Sequence, residues 1–172
     1  MSTTTVHRTE SASRPHDDPP DGLGAPWPPH VSTNDSDVVV AGISMRCLVD
    51  WAGTPCVHNC DPAPVPPQPL GDWRVGSLIV TRVLAVTLST EGAVHVTIDA
   101  ELGGCRPIFT EARLIGRASE CSRFEMLVGG PLPDALSYVV RNLPADIAVG
   151  DLILFPCVGI TVLHDIRISG AS

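Results

Sequence analysis

Apolar positions along this chain fall into short β-branched runs separated by Gly and Pro, a pattern that predicts strands. SLIVTRVLAVTLS, from Ser77, reads as one long strand, TEG as a turn, and AVHVTIDA as the strand that pairs back onto it. In that second strand Val94, Val96 and Ile98 share one face and His95, Thr97 and Asp99 the other, because successive side chains point to opposite sides of a sheet. EARLIGRA, SRFEMLVGG, LSYVV, GDLILFPC and GITVLHDIRIS continue the series. Many short strands of this kind predict an all-β fold, a single closed or nearly closed β-barrel. Ahead of it, SDVVVAGI marks where order begins, and TPCVHNC reads as a further strand. Between them Met45, Leu48, Val49 and Ala52 lie at helical spacing, with Ser44 as N-cap and Gly53 as stop, which predicts one short helix. Residues 61–71 form a linker whose five prolines between Pro62 and Pro69 exclude a central strand. Residues 1–35 are rich in Ser, Thr, Pro, Asp and His and have little to bury, so they are expected to be a disordered tail. The domain is then 36–172.

Composition narrows the function. The chain has 172 residues and is 44% hydrophobic but only 4% aromatic, so its core must rest on Val, Leu, Ile and Ala. A formal charge of −8 argues against nucleic acid and anionic membrane surfaces as partners, since both need clustered cations. No apolar run approaches the length of a membrane span, and MSTTTVHRTESASRP lacks the apolar core of a secretory signal. A cytoplasmic location is expected, with the six cysteines as thiols rather than a disulfide framework. All eleven basic residues are arginine. The absence of lysine forbids Schiff-base chemistry with carbonyl substrates or pyridoxal phosphate on a lysine amine.

VGSLIVTRVLAV, TIDAELGGCRPIFTEA, GPLPDALSYVV and LPADIAVGDLILFPCVGIT resemble, in that order, the C-terminal β-barrel of the pyridoxal-phosphate decarboxylases that act on ornithine or diaminopimelate; alanine racemase has a related architecture. The family strand that opens with GTP is matched at Gly53-Thr54-Pro55, and the likeness runs over roughly residues 38 to 168. In the family that strand leads into a TIM barrel, typically of about 250 residues, which holds the cofactor lysine; here the proline linker stands in its place. The departures are as informative as the likeness. Pro133, Asp134, Ala135, Leu136 and Ser137 occupy the family's Cys-Asp-Ser-x-Asp motif, and Gly159-Ile160-Thr161 its Gly-Ala-Tyr. The Arg-Pro-x-x-Tyr substrate clamp survives as Arg106-Pro107, with Thr110 in place of the tyrosine. The resemblance therefore implies a stand-alone barrel that uses no pyridoxal cofactor.

Removing a large domain uncovers the loops around Arg106, Thr110, Pro133, Asp134 and Ile160. An uncovered concave apolar surface needs a filler: a second subunit in a homodimer, a small molecule, or the proline linker. The function expected from this is a cofactor-independent cyclase, a pericyclase for Diels–Alder-type or related cycloaddition of an apolar polyene or macrolactone in bacterial polyketide secondary metabolism. Such a reaction needs an apolar cavity that holds the substrate near its reactive conformation, and no nucleophile. Arg106 and Asp134 are the candidate catalytic residues, and Thr110, Pro133, Ser137, Tyr138, Ile160 and Trp73 the candidate substrate-binding ones. The alternatives are a non-catalytic partner of a pyridoxal-phosphate decarboxylase and an apolar small-molecule binding module.

Other constellations have simpler readings. Cys56, His58 and Cys60, with Cys47 as a fourth, suggest zinc, but alternate strand positions lie about 6.6 Å apart and converge poorly on one ion. Small buried thiols and no metal are expected. Asp99 and Glu101 form an acidic pair beside Gly103 and Gly104 that suits either acid–base work or solvated charge. His95 and His164 decorate strands. Trp51 and Trp73 flank the linker, where an aromatic can cap the barrel mouth.

Overall fold

The computed structural model describes residues 27–61 and 74–166. Strands β1 (Val31–Thr33), β2 (Val38–Val40) and β3 (Ile43–Ser44) make a small antiparallel sheet. Helix α1 (Met45–Ala52) follows, with Ser44 as its N-cap accepting from the Cys47 N–H and Gly53 closing it on the Val49 carbonyl. A second sheet holds β4 (Cys56–Asn59), β5 (Val75–Leu88), β6 (Val94–Ile98), β7 (Arg113–Ile115), β8 (Arg123–Gly129), β9 (Ser137–Pro144) and β10 (Leu152–Val158). Its strand order is β7-β10-β5-β6-β8-β9, with β4 also on β5. Pairing is antiparallel throughout except for β6 with β8. The sheet curls until its ends approach, with β7 and β9 within 8 Å between Cα atoms and no ladder joining them. The expected all-β, barrel-like fold is present, open along that seam.

The two long central strands explain the packing. Every residue of β10, LILFPCV, is buried, as are Val75 to Thr81 of β5. The period of two then sorts their side chains onto two cores. Ile79 and Val83 of β5 and Ile153, Phe155 and Cys157 of β10 enter the interior of the curl, with Ile98, Met126, Val128, Val140 and Leu143. Leu78 and Val80 of β5 and Leu152 and Leu154 of β10 point the other way, onto Trp27, Val38, Val40, Met45 and Val49. A strand covered on both faces reads as a continuous apolar run, which is why GDLILFPC carries no alternation. Ser77, fully buried in the same wall, puts its Oγ 2.8 Å from Asn59 Oδ1 and 2.7 Å from the Gly159 carbonyl, and accepts the Thr161 N–H at 2.8 Å.

Two expectations need correction. Of the expected tail 1–35, residues 27–35 are ordered, because Trp27 is buried and Val31–Thr33 pair with Val38–Val40; residues 1–26 lie outside the described residues. One tryptophan and one short ladder anchor a segment whose average composition is polar. GITVLHDIRIS, expected to be a strand, instead forms the short helix α2 (Leu163–Ile166) over its described part. There Asp165 Oδ2 accepts the Val162 N–H at 3.2 Å, and Leu163 and Ile166, three apart, both pack on the inner core. Most of the expected proline linker lies outside the described residues.

Candidate functional site

The acidic pair after β6 divides in the fold. Asp99 Oδ1 accepts the Arg82 backbone N–H at 2.8 Å, a structural role at the bulge between β5 and β6. Glu101 is tied by its own N–H to the Ile166 carbonyl at 3.0 Å, and its carboxyl lies against Gly130. A Cβ placed on Gly130 would come within 1.8 Å of Glu101 Oε1 and 2.4 Å of its Cδ, so this close approach requires glycine. Glu101 Oε1 is buried and has no hydrogen-bond partner. Burial raises the carboxyl above its ordinary 4.5; the nearby Leu132 N–H opposes this, and the Asp134 charge adds to it.

Tyr138 closes the other side. Its ring stacks on Phe109 at 4.5 Å and 20°, and Phe109 meets the core ring Phe155 edge-on at 6.1 Å. Burial raises its phenol above the ordinary 10.0, helped by Cys105 and Glu101. Both the Tyr138 hydroxyl and Leu136 Cδ1 converge on Gly103, lying 3.7 and 3.9 Å from where its Cβ would be. Leu132 and Leu136 stand exposed around this cluster, at 41% and 62%. A half-buried carboxyl held toward its neutral form, a phenol and a second acid thus share one rim with unpartnered apolar side chains.

The residues singled out in the sequence are distributed unevenly around this rim. Asp134 and Tyr138 are there, both acting on or acted on by Glu101. Pro133 and Ser137 are exposed on the same loop and at the start of β9. Arg106 is exposed, and its carbonyl accepts the Val158 N–H at 3.0 Å, on the strip where Pro107 bridges Cys157. Thr110 instead lines an open groove of about 520 Å³ with Asn34, Glu111, Arg113, Arg123 and Asn142. Ile160, 67% exposed, lines a different groove of about 380 Å³ with Pro28, His30, His58 and Cys60. Trp73 lies outside the described residues. The expected pocket is therefore not one place: Thr110 and Ile160 belong to separate grooves, and Glu101 occupies the centre of the acidic cluster. Only contact across the sheet reveals that centre; in sequence, the Gly130 that makes room for it was the available signal.

The Thr110 groove contains a polar cluster that the sequence did not single out. Glu111, 4% exposed, faces Arg113 at 3.7 Å, and the Arg113 guanidinium lies over the Trp27 ring at 5.5 Å. Burial raises the Glu111 carboxyl, opposed by the nearby Trp27 indole and by Arg113. The indole N–H lies near the carboxylate without reaching hydrogen-bond geometry, and both it and Arg113 Nε are buried without partners.

The cysteines separate as well. Burial pushes the Cys56 thiol up to about 11, with Asp99 adding to the effect, and the Cys60 thiol likewise to about 11, with Asp61 adding. His58 is lowered by burial. Among the described residues no three His, Cys, Asp or Glu side chains are grouped to hold a metal ion. None of the described helices is long and apolar enough to cross a membrane.

No protein-family model matches the chain, and no curated protein matches it. Solved structures similar to it include the Paramecium bursaria Chlorella virus arginine decarboxylase bound to agmatine, at 16% identity and TM-score 0.38, covering 49% of this chain and 25% of that one. Diaminopimelate decarboxylase from M. jannaschii with L-lysine gives 19% identity and TM-score 0.38, over 49% and 20%. Lysine decarboxylase from Selenomonas ruminantium gives 19% and 0.35, over 47% and 22%. The chain spans about a quarter or less of each.

Proposed function

We propose that this chain binds an apolar, carbonyl-bearing small molecule at the Glu101–Asp134–Tyr138 rim and, without a cofactor, promotes its cyclisation. The observation that carries this reading is the Glu101 carboxyl, with one oxygen buried and unpartnered and its acidity weakened by burial, beside exposed Leu132 and Leu136. A carboxyl held toward its protonated form donates a hydrogen bond, and a donor aimed at a carbonyl oxygen stabilises the charge that develops there during cycloaddition. Leucines on the rim supply the apolar contact that folds a polyene towards its reactive shape. Asp134 raises the proton affinity of Glu101, Tyr138 offers a second hydroxyl donor, and no proton need leave the substrate.

The test is cyclisation of linear polyenes bearing a conjugated carbonyl, followed by product analysis against the uncatalysed rate. Acceleration should fall about 10- to 150-fold in Glu101→Leu, the scale of one hydrogen bond to a polarised group, about 1.5–3 kcal/mol. Acceleration that is unchanged in Glu101→Leu would overturn this site. The same exposed leucines favour a second reading, a docking face on a pyridoxal-phosphate decarboxylase. That reading expects no acceleration, but co-elution with such an enzyme and its loss in Leu136→Glu.

A further inference from the structure

Cys105 and Cys157 lie on the strip beside the candidate site, and neither takes part in the mechanism proposed there. Backbone pairing brings them together: Pro107 bridges Cys157, flanked by Ile108 N–H to the Pro156 carbonyl at 2.7 Å and Val158 N–H to the Arg106 carbonyl at 3.0 Å. Cys105 is two residues before that bridge, and both side chains pack in the inner core. The Cys105 thiol donates to the Leu102 carbonyl at 3.2 Å and the Cys157 thiol to the Phe155 carbonyl at 3.7 Å, and each lies close enough to shift the other's acidity. Cys157 is fully buried and Cys105 partly exposed, and both are free thiols. Of the other described cysteines, Cys47 and Cys121 are exposed, and Cys56 and Cys60 belong to the other core.

We infer that Cys105 and Cys157 form an oxidant-reactive dithiol, with Cys105 the thiol that attacks hydrogen peroxide and Cys157 the resolving thiol. In the first step the Cys105 sulfur attacks the peroxide. An S–O bond forms, the O–O bond breaks, and hydroxide leaves, giving a sulfenic acid. In the second step the Cys157 sulfur attacks that sulfenyl sulfur. The S–S bond forms, the S–O bond breaks, and the Cys157 proton leaves with the departing oxygen as water. The two thiols lose two electrons in all, and the peroxide takes them up. Burial assigns the roles: Cys105 is partly exposed, whereas Cys157 is fully buried. The Cys157 neighbour also lowers the pKa of Cys105, whereas that of Cys157 is raised, first by Cys105 and then by burial; thiolate character favours attack at Cys105. The product ties the segment that follows Glu101 to β10, to which its backbone is already hydrogen-bonded.

The experiment is treatment of the full chain with hydrogen peroxide, then tryptic digestion under non-reducing conditions and mass spectrometry. The Arg106–Pro107 bond resists trypsin, so Cys105 and Cys157 fall in peptides 83–113 and 142–167. The expected result is a linked pair, lighter than the two free peptides by two hydrogens and restored to them by dithiothreitol. Cys157→Ala should instead leave a dimedone-reactive sulfenic acid on Cys105, and Cys105→Ala should leave Cys157 unmodified. Two results would each overturn the inference: both peptides remaining reduced while Cys47 and Cys121 oxidise, or sulfinic acid accumulating on Cys105 of the wild-type chain with no link to Cys157.

Discussion

The contact between Glu101 and Gly130 can be tested as a coupling energy. A methyl group on Gly130 would sit 1.8 Å from Glu101 Oε1, 2.4 Å from Cδ and 2.9 Å from Oε2. Ordinary contact is about 3.5 Å, so the carboxyl must retreat by roughly 1.7 Å, more than a small torsional adjustment supplies. The carboxyl then leaves its rotamer, at about 0.5–1.5 kcal/mol, or the loop shifts, at the overpacking cost of about 1–3 kcal/mol. Gly130→Ala should therefore destabilise the wild type by about 1–3 kcal/mol. The backbone there is outside the left-handed region, so alanine meets no conformational penalty. In a Glu101→Ala background the three nearest obstructing atoms are gone. The same substitution should then be close to neutral, or stabilising by up to about 1 kcal/mol through lower unfolded-state entropy. Urea unfolding of the wild type, both single variants and the double variant gives the cycle. A coupling below about 0.5 kcal/mol, the usual limit of additivity, would refute the packing of this carboxyl against Gly130.

Trp27→Ala should cost about 3 kcal/mol, the low end for a buried aromatic, because Trp27 is only 6% exposed and carries Arg113 on its face; loss of under about 1 kcal/mol in the same unfolding assay would show that the N-terminal layer does not pack. Burial raises the Glu101 pKa above its ordinary 4.5, so its contribution to stability is fully present below 4.5 and is lost as pH rises through the folded value. Relative to wild type, Glu101→Gln should thus gain stability as pH climbs from 4.5 to neutral, and a difference that does not vary with pH would contradict this. Leu136→Glu should change stability by no more than about 0.5 kcal/mol, the range for exposed sites, while removing binding at the rim; a large unfolding effect would mean that Leu136 packs inside.

The fold was legible where one physical signal acted alone. α1 was readable to the residue because an N-cap serine, an apolar stripe and a stop glycine all fall within ten positions. β5 and β6 were readable because β6 shows one face to the core and one outward. Legibility failed where tertiary contact overrode local pattern. Leu163 and Ile166 fit a strand as well as a turn of helix by composition, and only the Asp165 cap and the core beneath them decide. Trp27 is one residue in a polar segment, and no periodicity announces that it is buried. The site was half legible for the same reason. Asp134 lies in a loop that the sequence marks by its glycines and prolines and Tyr138 at the start of the strand that follows, whereas Glu101 reaches them from a different strand end.

The wall made by β5 and β10 sharpens what the exposed surface requires. Its outer face is apolar, through Leu78, Val80, Leu152 and Leu154, and it is covered by the chain's own β1–β3 layer and α1. That face therefore makes no demand on a ligand or second subunit. Elsewhere, Leu132 and Leu136 remain exposed near a carboxyl that burial has weakened as an acid. Apolar exposure alone is ordinary on a protein surface. Apolar exposure beside a half-buried acid is less ordinary: the leucines lack apolar contact, while Glu101 Oε1 is enclosed without a hydrogen-bond partner. On the proposed reading an apolar molecule with one polar oxygen would cover the leucines and accept a hydrogen bond from the carboxyl, whereas a purely hydrocarbon ligand would do only the first.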